Sequence, residues 1–86
     1  MAYKVEYSPE AQQQIDKLDR PVAARIIKLM DRVQELPDPR AIGEALHGDL
    51  KDFGKYRADA WRVVESIHDR VLLVEVIEIA HRSKAY

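Results

Sequence analysis

Apolar and charged side chains alternate through Tyr3, Lys4, Val5, Glu6 and Tyr7, which is the period of a strand with one buried face. The period then changes. Ser8, Pro9 and Glu10 supply a capping hydroxyl, a proline at the first helical position and an acid in the first turn, so a helix is predicted from there to about Leu18. Its apolar face holds Ala11, Ile15 and Leu18, while Gln12, Gln13, Asp16 and Lys17 fall off that face. Asp19, Arg20 and Pro21 repeat the start signal. Val22, Ile26, Met30 and Val33 then form a helical stripe, widened by Ala23, Ile27 and Leu29. This second helix runs to about Leu36, where Pro37 and Pro39 end it. So short a connection between helices implies an antiparallel hairpin.

From Arg40 to Leu50 the pattern weakens, and Gly48 argues against regular structure, so this stretch is expected to be mostly loop. Strand patterns return from Phe53 to Ala58, from Trp61 to His68 and from Val71 to His81. Ala58-Asp59-Ala60 and His68-Asp69-Arg70 serve as tight connections, giving a three-stranded antiparallel meander. Val71 to Ala80 is nearly all apolar apart from Glu75 and Glu78, a composition that suits a central strand covered on both faces. The order strand, helix, helix, then strands predicts an α+β class: one sheet with the helical hairpin on one face.

At 86 residues and 9.9 kDa the chain has room for a single domain, residues 1–86. It has no cysteine, which removes disulfides, thiol nucleophiles and cysteine-ligated metals. His47, His68 and His81 fall in different elements, and glycine-rich phosphate loops and metalloprotease signatures are missing, so no metal and no cofactor is expected. No apolar run approaches the roughly 20 residues of a membrane span, and a cytoplasmic location without membrane contact is the expectation. The formal net charge of −1 does not by itself announce a nucleic-acid binder.

Placement of the cations is more informative. Lys55 and Arg57 are two apart on one strand and so share a face. A meander can bring Arg62 and Arg82 beside them. An uncompensated cluster of this kind suggests a missing anion, and a phosphodiester supplies one. The competing reading is a solvated face on which each arginine meets an acid, Arg57 with Asp59 and Arg62 with Glu75. Trp61 is read as a core residue.

The combined pattern Leu46-x-Gly48-x-Leu50, Lys55-x-Arg57, Trp61-Arg62-Val63-Val64, an apolar strand and His81-Arg82-x-x-x-Tyr86 resembles the RelE/ParE superfamily of toxins, the RelE branch in particular. The opening Tyr7-Ser8-Pro9-Glu10-Ala11 and the helical hairpin are similar to the same family. The resemblance implies a type II toxin that enters the ribosome and cuts translated messenger RNA without a metal. The substrate's 2′-hydroxyl would be the nucleophile, and a co-encoded RelB-like antitoxin would hold the toxin inactive in an oligomeric complex. By the same resemblance, Lys55 is a base or electrostatic activator, Arg57 and Arg62 clamp phosphate, Arg82 clamps or donates a proton, and Tyr86 stacks on or orients the nucleotide. His81 and Lys84 are expected to contact RNA. Two alternatives remain: a ParE-like inhibitor of DNA gyrase, and a weakly active toxin-fold module that mainly binds its antitoxin.

Overall fold

A computed structural model describes residues 3–84. The first strand, β1 (Lys4–Tyr7), leads into α1 (Pro9–Lys17) and α2 (Arg20–Glu35), then into the two-residue β2 (Glu44–Ala45). After it come β3 (Gly54–Ala58), β4 (Trp61–His68) and β5 (Leu73–His81). The sheet has five strands in the order β1-β5-β4-β3-β2, and the class is α+β, with the RelE-like arrangement expected. No helix of the described residues is long and apolar enough to cross a membrane.

Both helix starts follow the sequence signals, with one difference. The Ser8 hydroxyl accepts from the Ala11 amide at 3.0 Å and donates to the Ile77 carbonyl at 3.0 Å, so it caps α1 and ties it to β5. Asp19 occupies the N-cap of α2 without a side-chain capping bond. Ala11, Ile15, Ile26, Met30 and Val33 are buried and meet Tyr56, Val63, Val74, Val76 and Ile79 of the sheet in one core. Ile27, expected to widen the α2 stripe, is instead 42% exposed. It lies one residue past Ile26, about 100° around the helix and off the sheet-facing side.

Three features of the sheet depart from the expectation. Glu44–Ala45, read as loop, pairs antiparallel with Lys55 and Gly54 and adds a further edge strand. β1 pairs in parallel with β5, Lys4 opposite Leu73 through Tyr7 opposite Val76, which makes the sheet mixed. The connection before β5 is also longer than expected: Asp69–Val71 forms a 3-10 turn, Leu72 takes a left-handed φ of 51°, and β5 starts at Leu73.

β5 is an interior strand but is not covered on both faces. A register shift between Val64 and Glu65 lets Glu65 face Val76 while Val64 faces Glu78. This bulge resets the alternation, so that Val74, Val76 and Ile79 all reach the helix-covered core despite their odd spacing. Two glutamines then close strand edges. Gln34 Oε1 accepts from the Val5 amide at 2.8 Å, and Gln14 accepts from the Ile79 amide at 2.8 Å while donating to the Ile79 carbonyl at 2.9 Å. Such side chains satisfy backbone groups that would otherwise template further pairing.

Candidate functional site

The β3–β4 hairpin builds the site. It turns through Asp59, whose φ of 55° is tolerated better by Asp, Asn and Gly than by branched residues. Tyr56 and Ala58 point to the helices, Tyr56 being 1% exposed with its hydroxyl donating to the Pro39 carbonyl at 2.6 Å. Alternation therefore sends Lys55 and Arg57 to the face that no helix covers.

On β4 the same logic puts Trp61 and Val63 on the core side and Arg62 and Val64 on the open side. Arg57 sits directly opposite Arg62, and Lys55 opposite Val64. The open face thus carries two adjacent rows. One runs Ala80, Arg62, Arg57; the other runs Glu78, Val64, Lys55, Glu44. Like charges directly opposite one another destabilise a strand pair, so the Arg57 and Arg62 pair is a feature that folding alone does not favour.

Neither acid proposed from the sequence pairs with the arginine assigned to it. Asp59 pairs with Arg25 on α2, and Glu75 meets His68 at 3.3 Å. Arg57 instead places its Nε 3.2 Å from Glu44 Oε1, with both side chains about half exposed. Arg62 Nε is buried and has no hydrogen-bond partner among the described residues. A guanidinium donor in that state favours an anion.

The remaining candidates divide. Arg82 opens the 3-10 turn Arg82–Lys84, exposed, with its amide donating to the Ala60 carbonyl at 2.6 Å, which anchors the chain beside the β3–β4 hairpin. His81 lies opposite Trp61 and shares its face, away from the arginine pair; the two rings meet edge to face with centroids 5.0 Å apart. His81 Nδ1 is 3.0 Å from Ser83 Oγ. The side chain of Lys84 and the whole of Tyr86 lie outside the described residues.

Glu44 is the residue of this face that sequence reasoning missed. A two-residue strand is too short for any periodicity to register, and only its place just before Leu46-x-Gly48 marks it. Chemically, the face unites cations for a phosphate, carboxylates at Glu44 and Glu78 and an ammonium at Lys55. Among the described residues no cluster of three or more His, Cys, Asp or Glu is placed to hold a metal ion.

No curated protein sequence matches the chain. Among solved structures, the RelBE2 toxin–antitoxin complex of Mycobacterium tuberculosis superposes with a TM-score of 0.86 at 20% identity, covering 98% of this chain and 95% of that one. The archaeal RelE–RelB complex of Pyrococcus horikoshii gives 0.75 at 21%, covering 99% and 100%. The isolated E. coli RelE toxin gives 0.76 at 26% identity, covering 93% of this chain and 84% of that one. A family model, that of the ParE toxin of the type II toxin–antitoxin system parDE, matches residues 5–86. The fold likeness and the span of that match together make this chain a toxin of a type II toxin–antitoxin system, RelE-like in fold and a member of the ParE toxin family.

Proposed function

We propose that the open sheet face cuts translated messenger RNA on the ribosome without a metal ion, and that a RelB-like antitoxin holds the toxin inactive. The observation that carries the reading is the Arg57 and Arg62 pair, directly opposed, with Arg62 Nε buried and unpartnered among the described residues. In the reaction, the ribose 2′-oxygen gives up its proton and attacks the adjacent phosphorus. The bond from phosphorus to the 5′-oxygen breaks, leaving a 2′,3′-cyclic phosphate and a 5′-hydroxyl. Arg57 and Arg62 oppose the charge that grows on the phosphorane. Glu44 or Lys55 takes the 2′ proton, and Arg82 helps the departing oxygen gain one. Tyr86 orients the nucleotide and Lys84 is an outer contact, while His81, against Trp61 on the other face, reaches RNA only where the strand wraps past the sheet end. The antitoxin reading draws on the RelB partners named for the complexes from M. tuberculosis, P. horikoshii and E. coli.

Primer extension on a ribosome-bound message tests the proposal: cuts within codons are expected for the wild type and not for Arg62→Ala. Glu44→Gln against Lys55→Met assigns the base, because loss of the base flattens the alkaline rise of the rate. A second reading, a ParE-like inhibitor that binds DNA gyrase and carries out no chemistry, is favoured by the ParE family match and by the net charge of −1. Intact messages together with trapped gyrase cleavage complexes would select it.

A further inference from the structure

At the end of β3 away from its hairpin the sheet is notched. β3 begins at Gly54, opposite Glu65, whereas β4 continues through Ser66 and Ile67 to His68 with β5 as its neighbour on one side and, among the described residues, no strand on the other. The segments around Glu44 and Phe53 stand about this gap and enclose a cavity of about 620 Å³. Glu65 lies at its base, 4% exposed, the one buried charged residue among those described. Its carboxylate rests over Gly54, where an added Cβ would fall 2.7 Å from Glu65 Oε1.

No cation lies within ion-pair distance of Glu65 among the described residues. Arg40 is committed to Asp69, with its two terminal nitrogens 3.0 and 2.9 Å from the carboxylate oxygens. Lys51 lines the cavity, and so does Asp52. Burial pushes the Glu65 pKa up, against the opposing pull of the Tyr56 hydroxyl, the Gly54 amide and the Arg40 charge. A buried carboxylate without a counter-charge is costly, and here the cavity leaves room to supply one. Phe53 and Ile67 give it apolar walls.

We propose that this notch receives a lysine or arginine side chain carried on an extended segment of the antitoxin, its alkyl stem against Phe53 and Ile67 and its charged head on Glu65. Charge favours a cation: three acids, Glu65, Glu44 and Asp52, line the cavity against Lys51 and Arg40, and Arg40 is committed to Asp69. The unpaired edge of β4 selects an extended protein segment, which can pair with it while the side chain enters the cavity. The identity of the partner as the antitoxin rests on the preceding reading; the cation specificity of the cavity does not.

The test separates these two parts. In the free toxin, the Glu65 carboxyl is followed by carbon NMR against pH with n-butylguanidinium, n-butylammonium or neutral N-butylurea. The groups facing it are Tyr56, Arg40, Lys51 and Asp52, with Glu44 also on the cavity wall, so the carboxyl signal of Glu10 on α1, which does not line the cavity, serves as the control. Both cations should carry the Glu65 midpoint down toward the ordinary carboxylate range and perturb Phe53 and Ile67, whereas the urea should not. Equal effects of cation and urea, or an unmoved Glu65, would overturn the cation site. Against the antitoxin encoded by the neighbouring gene, Glu65→Gln should weaken binding by about tenfold or more. A complex as tight with the variant as with the wild type overturns the inference and leaves the antitoxin reading standing. Absence of any wild-type complex overturns both.

Discussion

The two faces of β4 treat charge in opposite ways. On the open face Arg62 stands across from Arg57, and the repulsion is moderated by solvent and by Glu44 at 3.2 Å from Arg57. On the covered face Glu65, three residues along, is 4% exposed, and its raised pKa reports the desolvation it bears. Alternation along β4 makes the contrast, since Arg62 shares its face with Val64 while Glu65 shares that of Val63. A cation cluster kept at the surface costs folding little and remains available to an anion. An acid placed inside must be neutralised, solvated or paired. On the readings proposed above, the two faces separate a surface for chemistry from a pocket for recognition.

The largest effect that would sharpen this contrast comes from two neighbours on β3. Tyr56→Ala removes a core aromatic that is 1% exposed and should cost about 3–5 kcal/mol in a urea melt. Arg57→Ala should change stability by no more than about 0.5 kcal/mol. Comparable losses in both variants would mean that the open face is part of the core and not a free surface.

Next comes Arg62→Ala. Loss of a charged contact that strengthens in the transition state should reduce message cleavage about a hundredfold or more with the melting temperature nearly unchanged. A variant that arrests growth as the wild type does, while folded, removes the face from the chemistry.

Much of this face was legible from sequence because alternation is a local property. Lys55, Arg57 and Arg62 land together as the period of two requires, and Tyr56 and Val63 land inside. What was not legible depends on pairing between distant segments. The choice of Glu44 by Arg57, of Asp69 by Arg40 and of Arg25 by Asp59 joins residues 13 to 34 positions apart, as the numbering gives directly. The parallel docking of β1 against β5 and the bulge that brings Val76 opposite Glu65 are likewise settled by packing and not by composition.

A smaller effect concerns pH. The folded chain holds the Glu65 proton to higher pH than the unfolded chain, so stability should fall as pH rises from the ordinary glutamate value of about 4.3 through the raised one, and Glu65→Gln should abolish that slope. Asp69 has the opposite sign: hydrogen bonds from Arg40 and Tyr3 hold its pKa down, so its contribution is present above the ordinary aspartate range and fades as pH falls. Chemical denaturation from about pH 2 to 8, so that the scan runs below the ordinary aspartate value as well as above the ordinary glutamate value, compares wild type with Glu65→Gln and Asp69→Asn. A wild-type slope that survives in Glu65→Gln would show that Glu65 is not the group responsible.

The smallest effect is expected where both charges lie in water. Arg25 and Asp59 pair across the molecule, each side chain 64% exposed, and exposed pairs contribute about 0–1 kcal/mol. Asp59 also holds the left-handed turn position of the β3–β4 hairpin, so two terms oppose in Asp59→Gly: the ion pair is lost, while glycine adopts the positive φ without a Cβ penalty but leaves the unfolded chain more freedom. Asp59→Asn keeps a residue suited to that conformation and loses only the charge. Both variants should melt within about 0.5 kcal/mol of wild type, whereas Asp59→Val, which keeps neither the charge nor the tolerance for positive φ, should cost about 1–3 kcal/mol. If Asp59→Asn costs as much as Asp59→Val, the surface pair fixes the hairpin, and the open face depends on charge for its shape as well as for the chemistry proposed for it.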